Sequence, residues 1–172
     1  MRSSTYTLLA VAGASICTAL PTNLTNFLLV TTSQLDPSCN SSELKAVSAT
    51  SLFDPFNQPA LLLRLIGPGY NSLPNFTLTS GTLSTYAQAP FGGGVKLYNS
   101  TVVEAGNELQ FLASAQPAGN LALDSGYLLT VNGEREGWTI CDGPLENEAL
   151  SWKGTAEGCQ ATYLHAVTKA PY

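Results

Sequence analysis

Charge is scarce in this chain: only 11% of its 172 residues are Asp, Glu, Lys or Arg. It has a single histidine and a single methionine. One histidine rules out a site built on several imidazoles. His165 lies in the apolar stretch Tyr163-Leu164-His165-Ala166-Val167 and reads as a structural residue of a strand. No Gly-X-Ser-X-Gly elbow accompanies it, so a Ser-His-Asp triad has no support. Ligand spacing for zinc is missing, as is an Asp-X-Asp-X-Asp-Gly calcium loop. Gly92-Gly93-Gly94 follows Pro90-Phe91 but is not followed by Lys-Ser/Thr; it is a flexible hairpin tip rather than a phosphate loop. Neither a metal nor a cofactor is expected. Nowhere is there an apolar run of the roughly 20 residues needed to span a bilayer, a dibasic processing pair, or a hydrophobic tail of the kind that directs a GPI anchor.

What is present begins with a short leader. Arg2 supplies a basic start, residues 8–16 are apolar and uncharged, and Cys17-Thr18-Ala19 offers small residues for cleavage. This is the layout of a secretory signal peptide over residues 1–19, and its removal leaves 153 residues. The remaining chain carries six Lys and Arg against twelve Asp and Glu, a net charge of −6. Such a surface repels phosphate backbones, so nucleic acid is a poor partner, and no basic amphipathic stretch argues for membrane binding after leader removal. Polarity comes instead from Ser, Thr, Asn and Gly. Four Asn-X-Ser/Thr sequons, at Asn23, Asn40, Asn75 and Asn99, are expected N-glycosylation sites in an exported chain.

Cys39, Cys141 and Cys159 remain once Cys17 departs with the leader. In an oxidising compartment two of the three should pair. Cys141 and Cys159 flank a short polar excursion that two adjacent strands could close, which makes them the expected disulfide. Cys39 then has three open readings: a bridge to another chain, a buried thiol, or pairing with one of the other two.

Residues 20–43, with two sequons and two prolines, read as a polar glycosylated N-terminal arm holding one strand near 27–32. A β domain is expected over 44–172. Short apolar runs alternate with turn residues at intervals of about ten, the pattern of an antiparallel β barrel or sandwich. The run from Ala60 to Ile66 ends at Gly67-Pro68-Gly69 and reads as a buried strand. Residues 75–86 align without gaps to residues 120–131, with six of twelve positions identical, and each copy reads as strand, Ser-Gly turn, strand. An offset of 45 residues also fits a β-trefoil; the segment 139–154 is the best available third copy, and a degenerate one. The expected fold is therefore all-β, a single compact barrel or sandwich with a trefoil as a variant.

The second half of the chain resembles the C-terminal domain of fungal PIR-type cell-wall mannoproteins and the related PhiA-like wall proteins. The resemblance is carried by residues 76–83, Leu109-Gln110-Phe111, residues 119–123, the Gly-Trp segment 135–140, and the ending Cys141, Cys159 and Tyr163-Leu164-His165-Ala166-Val167. It spans about 95 residues and implies a non-enzymatic secreted protein of the fungal wall or medium. PIR proteins carry Gln-containing repeats for covalent attachment to β-glucan. This chain has none, so covalent attachment does not carry over.

Two carboxylate pairs, Glu134 with Glu136 and Glu146 with Glu148, are the only candidates for glycosidase chemistry, and both sit in turn-rich stretches where solvated acids are the rule. Among the aromatics, Trp138 is expected in the core. Trp152, Tyr98 and Tyr127 are the expected glycan-stacking residues, with Tyr86 and Tyr163 also available to such a platform. The sequence thus points to a non-catalytic secreted glycoprotein whose partners are wall glycan, other wall proteins or a disulfide-linked chain. The alternatives are a freely secreted effector-like or antigenic protein and a small glycan-active enzyme.

Overall fold

The computed structural model describes residues 24–37, 47–55, 59–70 and 73–171. The leader, Cys39 and the sequon asparagines Asn23 and Asn40 lie outside these. Thirteen strands form the domain: β1 (Thr25–Thr32), β2 (Ser48–Phe53), β3 (Ala60–Ile66), β4 (Phe76–Thr79), β5 (Thr82–Gln88), β6 (Val95–Ser100), β7 (Gln110–Leu112), β8 (Leu121–Asp124), β9 (Leu128–Val131), β10 (Trp138–Asp142), β11 (Glu148–Trp152), β12 (Gln160–Ala161) and β13 (Tyr163–Val167). All pairings among the described residues are antiparallel, within one sheet that closes in a ring.

The pairings recur in three units; among the described residues, the third has no ladder between its first two strands, β9 and β10. β1 pairs with β2, β2 with β3, and β1 with β4. β5 pairs with β6 and β6 with β7, and the end of β5 meets β8 where Leu121 N–H donates to the Gly81 carbonyl at 3.1 Å. β10 pairs with β11, and β9 pairs with β13. The units join through β4–β5, β8–β9 and β13–β1. Six strands (β1, β4, β5, β8, β9, β13) thereby close a barrel. The other hairpins, β2–β3, β6–β7 and β10–β11, meet one another at one end through β3–β7, β3–β11 and the bond from Leu109 N–H to the Leu150 carbonyl at 2.8 Å. This is the connectivity of a β-trefoil.

The two resembling segments are the two unit-joining hairpins. Both turns place Ser and Gly at positive φ, 48° and 76° at Ser80-Gly81 and 52° and 78° at Ser125-Gly126, as a turn matched to strand twist requires. Their registers differ by a residue, since Thr79 pairs with Thr82 but Asp124 pairs with Leu128. The segment 139–154 is not a third copy. It holds β10–β11, one of the three capping hairpins. The third joint is made by β13 with β1, strands far apart in sequence, and so has no turn to read.

The strand expected near 27–32 is β1, Thr25–Thr32. β1 pairs with β2, β4 and β13, and Phe27, Leu29 and Val30 are buried. An apolar strand with a neighbour on both edges is interior structure, whatever the polarity of the sequence around it. β3 is buried nearly throughout, which is why it reads as a continuous apolar run rather than an alternating one. Phe27, Phe76 and Phe111 stack through the barrel with centroids 6.2 and 5.9 Å apart. Cys141 and Cys159 form the expected disulfide, with Cα atoms 4.2 Å apart.

Candidate functional site

A groove of about 520 Å³ opens on the outer face of β4–β5–β6, at the junction of the first two units. Its walls are Asn26 of β1, residues 73–75 ahead of β4, Thr77 of β4, Ser84, Thr85 and Tyr86 of β5, and Leu97 of β6. Among the described residues, no charged side chain lines it. Two amides, three hydroxyls, a phenol and apolar side chains do.

Strand alternation builds this site. In β5 the core residue is Leu83, so Leu83 and Thr85 point inward and are buried while Ser84 and Tyr86 point outward. β6 sets Leu97 opposite Tyr86 and Asn99 opposite Ser84. β4 reaches only to the pair Phe76–Thr85, and β7 only to Asn99 and Ser100. The far half of the β5–β6 ribbon thus has no ladder neighbour among the described residues. Tyr86 is 71% exposed and Leu97 42% exposed for that reason. Asn26 has φ 57° at the bulge where β1 changes register against β4, a backbone state that Asn tolerates better than most residues.

The sequons fall on either side of this face. Asn75 is exposed and lines the groove. Its carbonyl accepts from Thr85 Oγ1 at 2.8 Å, and the next residue, Phe76, is fully buried, so its backbone is held from both sides. Asn99 is half-buried: its Oδ1 accepts from Ser84 Oγ at 2.7 Å and its Nδ2 donates to the Ser114 carbonyl at 3.0 Å.

The expected stacking residues are placed otherwise. Trp152 is 3% exposed and Tyr98 2% exposed, so neither offers a face to a sugar. Trp152 is the register partner of Trp138 across β10–β11, and the edge-to-face packing of the two rings buries it. Tyr98 points inward from β6, and burial, then the nearby Asp54 charge, pushes its hydroxyl pKa up. Tyr127 is half-buried against the His165 ring, with centroids 5.2 Å apart; burial, then Asp36 and Asp124, raises its pKa. Tyr86 is the aromatic on the open groove. The phase of β5 about buried Leu83, which turns Tyr86 outward, is the sequence signal for it.

The carboxylate pairs stay on the surface. Glu134 is held by Lys153, with Oε2 2.6 Å from Nζ, while Glu136, Glu146 and Glu148 are exposed. A second, smaller groove of about 280 Å³ runs beside the disulfide and includes Glu108 and Asp142. No group of three or more potential metal ligands occurs among the described residues. His165 is buried, and its Nε2 has no hydrogen-bond partner among the described residues. Burial pushes its pKa down, while a backbone bond at Leu35 and the Asp36 charge pull it up. No protein family, curated protein or solved structure matches the chain.

Proposed function

We propose that the protein is a non-catalytic secreted glycoprotein of the fungal cell wall that contacts neutral wall glycan. The observation that carries this reading is the uncharged groove with Tyr86 exposed at its mouth. A sugar ring presents an apolar face and a rim of hydroxyls; an aromatic face accepts the first, and amide and hydroxyl side chains pair with the second. The leader, the sequons and the resemblance to wall proteins point the same way, as does the disulfide, a bond favoured in oxidising compartments.

The test is sedimentation of the protein, made without N-glycans, with insoluble β-glucan and with chitin. Retention by either is expected, insensitive to salt because the groove holds no charge. Replacing Tyr86 by Ala should weaken retention about 3- to 10-fold, the loss of one aromatic contact. Equal retention of the variant would sink this site. Fractionation of the producing cells tests location: recovery in the wall fractions supports the reading, and recovery almost wholly in the medium opposes it.

A second reading is a freely secreted protein acting on a host partner. It is favoured by the tip of the β5–β6 ribbon, where Phe91 is 88% and Val95 67% exposed, a kind of surface that marks protein contacts when contiguous. The alternative of a glycan-active enzyme using a Glu pair is tested by assaying hydrolysis with Glu134→Gln and Glu146→Gln; no activity in the wild type, or activity unchanged in both variants, would end it.

A further inference from the structure

Asn75 and Tyr86 occupy neighbouring positions on one face of the sheet. The β4–β5 ladder pairs Thr77 with Ser84 and Phe76 with Thr85. The ladder ends there, and the residues just past its end, Asn75 and Tyr86, both line the groove. Tyr86 in turn is paired with Leu97. Asn75, Tyr86 and Leu97 therefore share the lining of one groove. The sequon asparagine is exposed, its backbone is pinned by Thr85 and by buried Phe76, and the sequon hydroxyl, Thr77, also lines the groove.

We propose that an N-glycan on Asn75 lays its first sugar on the Tyr86–Leu97 pair and fills this groove, so that occupancy of the sequon decides whether the groove is open to an outside glycan. The proposal rests on the secretory reading above, because the modification requires passage through the export pathway. Glycan transfer joins sugar C1 to Nδ2, breaks the bond from C1 to the lipid-linked diphosphate donor, and releases one amide proton. The second amide N–H remains. Nδ2 thus carries an N-acetylglucosamine whose apolar ring face can cover an exposed phenol ring, removing apolar surface from water. The groove suits this occupant because it carries no charge and offers the Asn26 amide and the Ser84 and Thr77 hydroxyls to the sugar's polar rim. Asn99 differs: its amide is already engaged with Ser84 and Ser114.

The experiment secretes four proteins from a glycosylating yeast: wild type, Asn75→Gln, Tyr86→Ala and the double variant. Peptide mass spectrometry reads each sequon, an endoglycosidase trims the glycans to one N-acetylglucosamine, and thermal midpoints are compared as a double-mutant cycle. Both positions are on the surface, so all four should fold. Asn75 is expected to be occupied. Its loss should lower the midpoint by about 2–4 °C when Tyr86 is present and by less than about 1 °C when it is not. The Asn75→Gln protein should bind insoluble glucan better than the glycosylated wild type. Sugar at other sequons but not at Asn75 would overturn this proposal alone. Sugar at none would overturn it together with the secretory reading. Equal midpoint losses in both backgrounds would overturn the stacking.

Discussion

Trp138 and Trp152 meet edge to face across the β10–β11 hairpin, with ring centroids 5.1 Å apart and an interplanar angle of 72°. Trp138 is fully buried, and its indole N–H donates to the Leu129 carbonyl at 2.9 Å. The pair ties the third capping hairpin to barrel strand β9. Replacing Trp138 by Ala should cost about 3–5 kcal/mol, the range for truncating a buried large aromatic. Chemical denaturation of wild type and variant measures it. A loss under about 1 kcal/mol would show that this hairpin is not part of the cooperative core.

The turn of the β4–β5 hairpin packs against the chain entering β8. A Cβ on Gly81 would sit 2.3 Å from the Gly119 carbonyl oxygen, and one on Gly119 would sit 2.1 Å from that of Gly81. Two backbones in contact leave no side chain to move aside. Gly119→Ala should destabilise by about 1–3 kcal/mol, in the manner of an overpacked core, and Gly81→Ala by at least as much because its φ of 76° also disfavours alanine. Thermal unfolding of the two variants checks both values.

The Cys141–Cys159 bridge closes a loop with a sequence separation of 18. Its reduction, or Cys141→Ser with Cys159→Ser, should cost about 3 kcal/mol through the freed unfolded chain. The measurement is denaturation with and without reductant. The double-serine variant should lose all sensitivity to reductant that arises from this bond.

His165 gives stability a pH dependence of definite sign. Its folded pKa lies below the usual imidazole value because burial disfavours the charged ring, an effect that the Leu35 carbonyl and Asp36 only partly offset. The unfolded chain then binds the proton more tightly than the folded one, so protonation favours unfolding. Stability is full above about pH 6.5, the unperturbed imidazole pKa, and falls as pH drops from there towards the lower folded value. The facing groups are the Tyr127 ring and Asp36. His165→Gln should flatten the stability profile between about pH 5 and 7, where carboxylates contribute little. A profile of unchanged slope in the variant would remove His165 as the cause.

Much of this architecture is legible in the chain itself. Phe76 and Leu78 alternate with Thr77 and Thr79, and each Ser-Gly turn supplies the positive φ its hairpin needs, so strand and turn follow from local sterics and a period of two. Ala60 to Ile66 reads as a buried strand because both of its faces are covered. Cys141 and Cys159 are pairable because they bracket one excursion. Three things were decided only by tertiary contacts. The third joint of the trefoil links β1 to β13, strands separated by most of the sequence, and no local pattern marks it. β1 is a core strand inside a polar, sequon-bearing stretch because three other strands supply its hydrogen bonds and cover its apolar face. The fate of each aromatic depended on phase and neighbours: Tyr98 and Trp152 turn inward onto other strands, while Tyr86, on the part of a hairpin that outruns its neighbours, is left facing water beside Asn75. Local sequence sets which residues share a face; only the closure of the barrel determines whether that face is covered.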